Sequence, residues 1–243
     1  MASILPFEQE TGNGPRRPSP EAVVGKLERA GSQYLQPLLA EMLDQADDAL
    51  FEMADKAENN RQQTLYFDAM REVRRVRAEM ERAFARALEE GFRTFLRDQA
   101  SGPGASPLHE EELQLIDQEA MEESVALGNI ANKVRNRYGE EVEAVHQRLE
   151  HLSRAEVLTP ERDPLSPTAL VNAFGQAAGA LDAELEVRLV LFKLFDRHVA
   201  GNLLPLYQAA NRILIDAGVL PRLPREWVRP AGGAAGTAPP AGE

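Results

Sequence analysis

The sequence predicts an all-α protein, an elongated multi-helix bundle with long antiparallel helices. Three observations carry that reading. Apolar residues recur at steps of three and four through most of the chain, the period of one helix face. Alternating Val/Ile/Thr runs between turn signals, the mark of half-buried strands, are missing. The stretch from Asn60 to Asp98 holds the helical period with no proline and only Gly91. Such a helix is roughly 58 Å long at about 1.5 Å per residue, longer than the ~45 Å width of a compact globule of this chain length.

The elements follow in order. Residues 1–18 hold Gly12, Gly14, Pro15 and Pro18 without an apolar period, and are expected to be a mobile arm. Ser19-Pro20-Glu21 is a helix start, with serine as N-cap, proline at the first helical position and an acid in the first turn. A stripe from Val23 to Met53 follows, and Gly31 and Pro37 are expected to break or kink it into a short and a longer helix. Asn59-Asn60 is a turn signal. The long helix then carries Tyr66, Met70, Val73, Val76, Met80, Phe84, Leu88, Phe92 and Phe95.

Ser101 to Pro107 is a break rich in glycine and proline. A further helix is expected from Leu108, opened by Glu110, Glu111 and Glu112. Its pattern runs through Ile130 to Leu152, with a bend between Asn129 and Gly139. Thr159 to Pro167 is a proline-rich crossover, and Ser166-Pro167 repeats the Ser19-Pro20 cap before a helix to about Ala180. Leu181 to Ala217 is the last strong segment, split near Gly201 and Pro205, with Gly218 as its cap. The apolar residues from Val187 to Phe195 go nearly all round, which predicts a central, buried helix. This gives a helical domain over 19–221 and an Ala/Gly/Pro-rich linker or tail over 222–243.

Composition narrows the function classes. The 243 residues include no cysteine, which excludes a disulfide scaffold, thiol catalysis and zinc held by cysteines. The net charge of −12 argues against sequence-independent nucleic-acid binding and against docking on an anionic membrane. The start lacks the basic and apolar regions of a signal peptide, and no stretch of about 18 apolar residues occurs. A soluble, cytoplasmic protein is expected.

Reaction chemistry finds little support in the motifs. His109-Glu-Glu-Glu-Leu113 opens like a zinc-protease helix, but leucine stands where the second histidine belongs. Glu143-Ala-Val-His146 is one Glu-x-x-His pair, and a di-metal bundle needs two, so His146 is expected to be a surface histidine. Gly-x-Ser-x-Gly, Gly-x-Gly-x-x-Gly and P-loop patterns are all missing from the chain. No catalytic, cofactor or metal site is predicted.

Charge is unevenly placed instead. Arg71, Arg74, Arg75 and Arg77 cluster on the long helix, either as a solvated face paired with acids such as Glu72, Glu79 and Glu81 or as a docking face. From Asp98 to Asn132 there are eight acids and no Lys or Arg. This acidic stretch either lies antiparallel to the arginines and neutralises them, or faces a partner. Lys193, Asp196, Arg197 and His198 sit within the most apolar helix, where charges need partners. Asp196 can reach Lys193 or an arginine on another helix. The four form either a structural network or a ligand site.

Several blocks carry a resemblance. Gln45 to Asn60, Leu65 to Arg71, Glu119 to Asn129, Asp163-Pro-Leu-Ser-Pro167 and Leu191 to Val199 are similar to blocks in the N-terminal part of a proteobacterial family of unknown function. Its members are often labelled thymidine-phosphorylase-like, and some longer ones carry a C-terminal PilZ module. The resemblance implies a cytoplasmic regulatory protein linked to cyclic-di-GMP signalling, of which this chain would be a truncated member or the N-terminal domain. The expected function is therefore non-enzymatic: regulation or scaffolding through a protein partner or a homo-oligomer, with no cofactor. The alternative is a small-molecule or nucleotide sensor with its pocket near Lys193, Asp196, Arg197 and His198.

Overall fold

The computed structural model describes residues 19–101, 118–153 and 157–223. The arm expected over 1–18, the helix start at Glu110 to Glu112, and the tail beyond residue 223 lie outside these. The described residues form seven α-helices and one 3-10 turn, with no strand among them. The helices are α1 (Pro20–Asp55), α2 (Asn60–Ser101), α3 (Gln118–Arg137), α4 (Gly139–Ser153), α5 (Pro167–Ala178), α6 (Leu185–His198) and α7 (Leu204–Asp216). The 3-10 turn, Ala200–Asn202, joins α6 to α7.

Both Ser-Pro signatures act as caps. Ser19 Oγ accepts a hydrogen bond from the Ala22 amide at 3.3 Å, and Ser166 Oγ accepts one from Ala169 at 3.0 Å. Each follows the N-cap rule: the side-chain oxygen satisfies an amide that the first turn leaves free. At the far end, Gly218 takes φ +78°, the left-handed backbone for which glycine is favoured.

One expectation fails in α1, which runs unbroken for 36 residues through Gly31 and Pro37. Packing explains why. Gly31 is buried against Phe92 and Leu165, whose side chains a Cβ there would meet in ordinary contact at 3.9 Å. Leu27, Leu35 and Leu39 on the same face are fully buried. Pro37 sits on the exposed side, where water can take the place of the missing backbone bond.

α1 and α2 form an antiparallel hairpin, and α2 extends for 42 residues, about 63 Å. Its whole predicted stripe, from Tyr66 to Phe95, is buried. α1 also packs on α6 and α7, α2 on α5, α3 on α5 and α6, and α4 on α7. Aromatic rings join three of these helices. Phe174 of α5 stacks on Phe195 of α6 at 4.2 Å, and Phe84 of α2 meets Phe195 edge-on at 6.4 Å. α6 is central, as its apolar circumference predicts. The bend expected after Asn129 falls at Tyr138, between α3 and α4.

Candidate functional site

The arginine face of α2 is fully engaged in local and hairpin pairs. Arg71 bonds Asp68 at 2.7 Å and Arg75 bonds Glu72 at 2.8 Å, both one turn away on α2. Arg74 forks onto Asp47 of α1, with Nε to Oδ1 at 2.6 Å. Arg77 bonds Glu81 at 3.0 Å, the Ala40 carbonyl at 3.1 Å, and Asp44. That last bond holds the Asp44 carboxyl below the usual carboxylate range. Most of these pairs are exposed, so each contributes about 0–1 kcal/mol and orients the hairpin more than it holds it.

The acidic stretch does not supply these partners. Among its described residues, Glu119 and Glu123 meet Arg188 of α6, and Asp98 meets Arg162. Packing decides this: α2 lies along α1 and α5, whereas α3 lies on α5 and α6. Of the stretch, Glu110, Glu111, Glu112 and Asp117 lie outside the described residues.

Lys193, Asp196, Arg197 and His198 do not converge. Asp196 pairs with Lys133 of α3 at 2.6 Å, not with Lys193. Lys193 and Arg197 are exposed, and His198 is half-buried, its carbonyl accepting from Asn202 Nδ2 at 2.8 Å. None of the three described cavities is lined by any of the four. Lys193 and Arg197 stand one turn apart on the exposed side of α6, while Asp196 is held by Lys133 of α3.

His146 is not a surface histidine. It is half-buried on α4, with Nδ1 2.8 Å from Asp163 Oδ2 in the α4–α5 loop. Asp163 is only 2% exposed. Its Oδ1 accepts from the Leu165 amide at 2.9 Å, and its backbone carbonyl accepts from Ser166 at 3.0 Å. The hydrogen bond to Asp163 raises the His146 pKa, burial opposes it, and the charges of Asp163, Glu143 and Glu150 add to the rise. The Ser166 hydroxyl is committed to the cap and to the Pro160 carbonyl. The pair therefore fastens the loop to α4. Its signal in the sequence was the Asp163-Pro-Leu-Ser-Pro string, where an aspartate two residues before a free amide makes a local turn.

Beside it, Arg148 is 5% exposed and, among the described residues, bonds uncharged oxygens: Asn211 Oδ1 at 2.6 Å, Ala144 O at 3.1 Å and Leu220 O at 3.2 Å. Burial pushes its pKa down. The Tyr207 hydroxyl is buried with no partner, and burial pushes its pKa up. The Arg148 bonds tie α4 to α7 and to the chain leaving it. No group of three or more potential metal ligands occurs among the described residues.

Among the described residues, clefts open at three places. One of about 530 Å³ lies at the α1–α2 tip, floored by Met53 and Tyr66. Tyr66 donates to Glu186, which pushes its pKa up to about 12. A second, of about 490 Å³, lies where α1, the α3–α4 junction and the 3-10 turn meet. A smaller one of about 220 Å³ lies over Asp47 and Arg74. Large apolar side chains are also exposed: Phe51, at 56%, on α1, and Met121 and Val125 on one face of α3.

The fold and these features define an all-α helical domain with ion-paired helix faces, exposed apolar side chains and open grooves. No helix among the described residues is long and apolar enough to cross a membrane. The chain belongs to the family described as protein of unknown function (DUF1631), N-terminal domain, whose model matches residues 19–218. The match runs from the N-cap of α1 to the glycine that follows α7. Comparison with curated proteins and with solved structures found no match.

Proposed function

We propose that this domain is a cytoplasmic regulatory or scaffolding module that works by binding a protein partner or a second copy of itself, and not by catalysis. One observation carries the reading. Along one side of the α1–α2 hairpin the contacts form successive rungs: Asp44 with Arg77, Asp47 with Arg74, then Phe51 with Phe67. The first two rungs are charged, and the third is an edge-to-face aromatic pair at 6.3 Å. Phe51 keeps more than half its surface in water. An exposed aromatic beside a charged rim has the composition of an interface anchor. Fully burying such a ring contributes about 1.5–3 kcal/mol.

Light scattering over a concentration series, together with a pull-down from bacterial lysate, tests this on the wild type and on Phe51→Ala. The expected result is a defined oligomer or a specific retained protein, lost in Phe51→Ala while helicity is kept and stability falls by no more than the ~0.5–1.5 kcal/mol of the Phe51–Phe67 pair. A wild-type chain that stays monomeric and retains nothing specific would overturn the proposal, as would retention that Phe51→Ala leaves untouched.

A further inference from the structure

The groove of about 490 Å³ has the size of a small-molecule site, a class that spans about 300–1,000 Å³. Its walls are locked in advance. Tyr34 donates its hydroxyl to the Asn202 carbonyl at 2.6 Å, Tyr138 donates to the Gly201 carbonyl, and Asn202 Nδ2 donates to His198 O at 2.8 Å. These bonds tie the 3-10 turn to α1 and to the α3–α4 junction. Ordering such walls during folding spares a ligand that cost.

With the tyrosine hydroxyls committed, two charged groups remain on the lining, Arg137 and Glu141. They stand four residues apart but on two helices, with the break at Tyr138 between them. Neither forms an ion pair among the described residues, and they do not pair with each other. Arg137 lies over the Tyr138 ring, 5.4 Å from its centroid. Gly201 borders the guanidinium: a Cβ there would stand in ordinary contact, 3.7 Å from Arg137 Nη1. Leu204, Pro205 and the Tyr34 ring make the apolar wall.

We infer that this groove binds a small aromatic molecule with an anionic group at one end and an N–H donor at the other. The free guanidinium fork takes a carboxylate or phosphate in two parallel hydrogen bonds. A flat ring covers the Tyr34, Leu204 and Pro205 wall. Glu141 accepts the N–H donor and repels a second anion, which sets the direction of binding. Two kinds of molecule share this chemistry: an aromatic amino acid and a purine nucleoside monophosphate. None of Lys193, Asp196, Arg197 and His198 lines this groove.

Calorimetric titration of the full 243-residue chain tests it with L-tryptophan and adenosine monophosphate as probes and inorganic phosphate as control. At least one organic probe binds at millimolar concentration or below. Tryptophan alone identifies a carboxylate source, and the nucleotide alone a phosphate source. Arg137→Ala weakens binding about tenfold or more, the effect of losing a charge-assisted pair. Glu141→Gln weakens it less, and Arg137→Lys restores part of it. Both side chains lie at the surface of the groove, so the unliganded variants stay folded, with Arg137→Ala losing no more than its contact with the Tyr138 ring. The inference is overturned if neither organic probe binds, if phosphate binds as tightly as the nucleotide, or if Arg137→Ala leaves binding unchanged.

Discussion

Replacing His146 by alanine removes the imidazole that meets Asp163 Oδ2 at 2.8 Å. The carboxylate left behind is 2% exposed and retains the Leu165 amide on its other oxygen. Losing a hydrogen bond between charged groups costs about 1.5–3 kcal/mol. Burial of Asp163 puts the expected loss in the upper part of that range while the imidazole is charged. The pH dependence has a definite sign. The folded pKa of His146 lies above its ordinary value of 6.5, chiefly because of the bond to Asp163. Protonation therefore favours the folded state. That contribution is fully present below the unfolded pKa and is lost as pH rises through the raised folded value. Urea unfolding of wild type and His146→Ala at about pH 6, 7 and 8.5 measures it. The difference between the two proteins cancels the titration of distant groups. It is expected to be largest near pH 6 and to shrink toward pH 8.5. A difference that is constant with pH, or that grows as pH rises, would refute a charged His146–Asp163 pair.

Three further substitutions test the two serine caps and a buried hydroxyl. Ser166→Ala removes the Ala169 cap and the donor to the Pro160 carbonyl, and is expected to cost about 1–2 kcal/mol by thermal melting. Ser19→Ala, at an exposed cap with a longer bond, is expected to cost less, and an equal loss would contradict this ranking. Tyr207→Phe removes a buried hydroxyl that has no partner, so it is expected to be neutral or to stabilise by up to about 1 kcal/mol. A clear destabilisation in urea unfolding would show that the hydroxyl is hydrogen-bonded after all.

Much of the fold was legible because helices are written locally. The stripe Tyr66 to Phe95 repeats at the step of one helix face, and each of its residues is buried. The Ser19-Pro20 and Ser166-Pro167 starts depend on an oxygen and an amide three residues apart. Gly201 and Pro205 marked the break between α6 and α7 for the same reason. Gly31 and Pro37 misled, since a local rule for breaking helices is outweighed when the helix is packed along its length on α2.

The candidate sites were legible only in part. The sequence by itself determined the helical class, the caps, the buried stripes and the presence of an arginine-rich helix. The tertiary structure alone decided which charges meet: Arg74 with Asp47, Asp196 with Lys133, Glu119 with Arg188, and His146 with Asp163. It alone placed Arg137 and Glu141 in one groove with Tyr34 and Leu204. The physical reason is range. Periodicity and capping act over three or four residues, where the chain's own geometry sets the neighbours. An ion pair between helices, or the wall of a groove, depends on how helices far apart in sequence are packed, and that is settled by burial of the whole core at once.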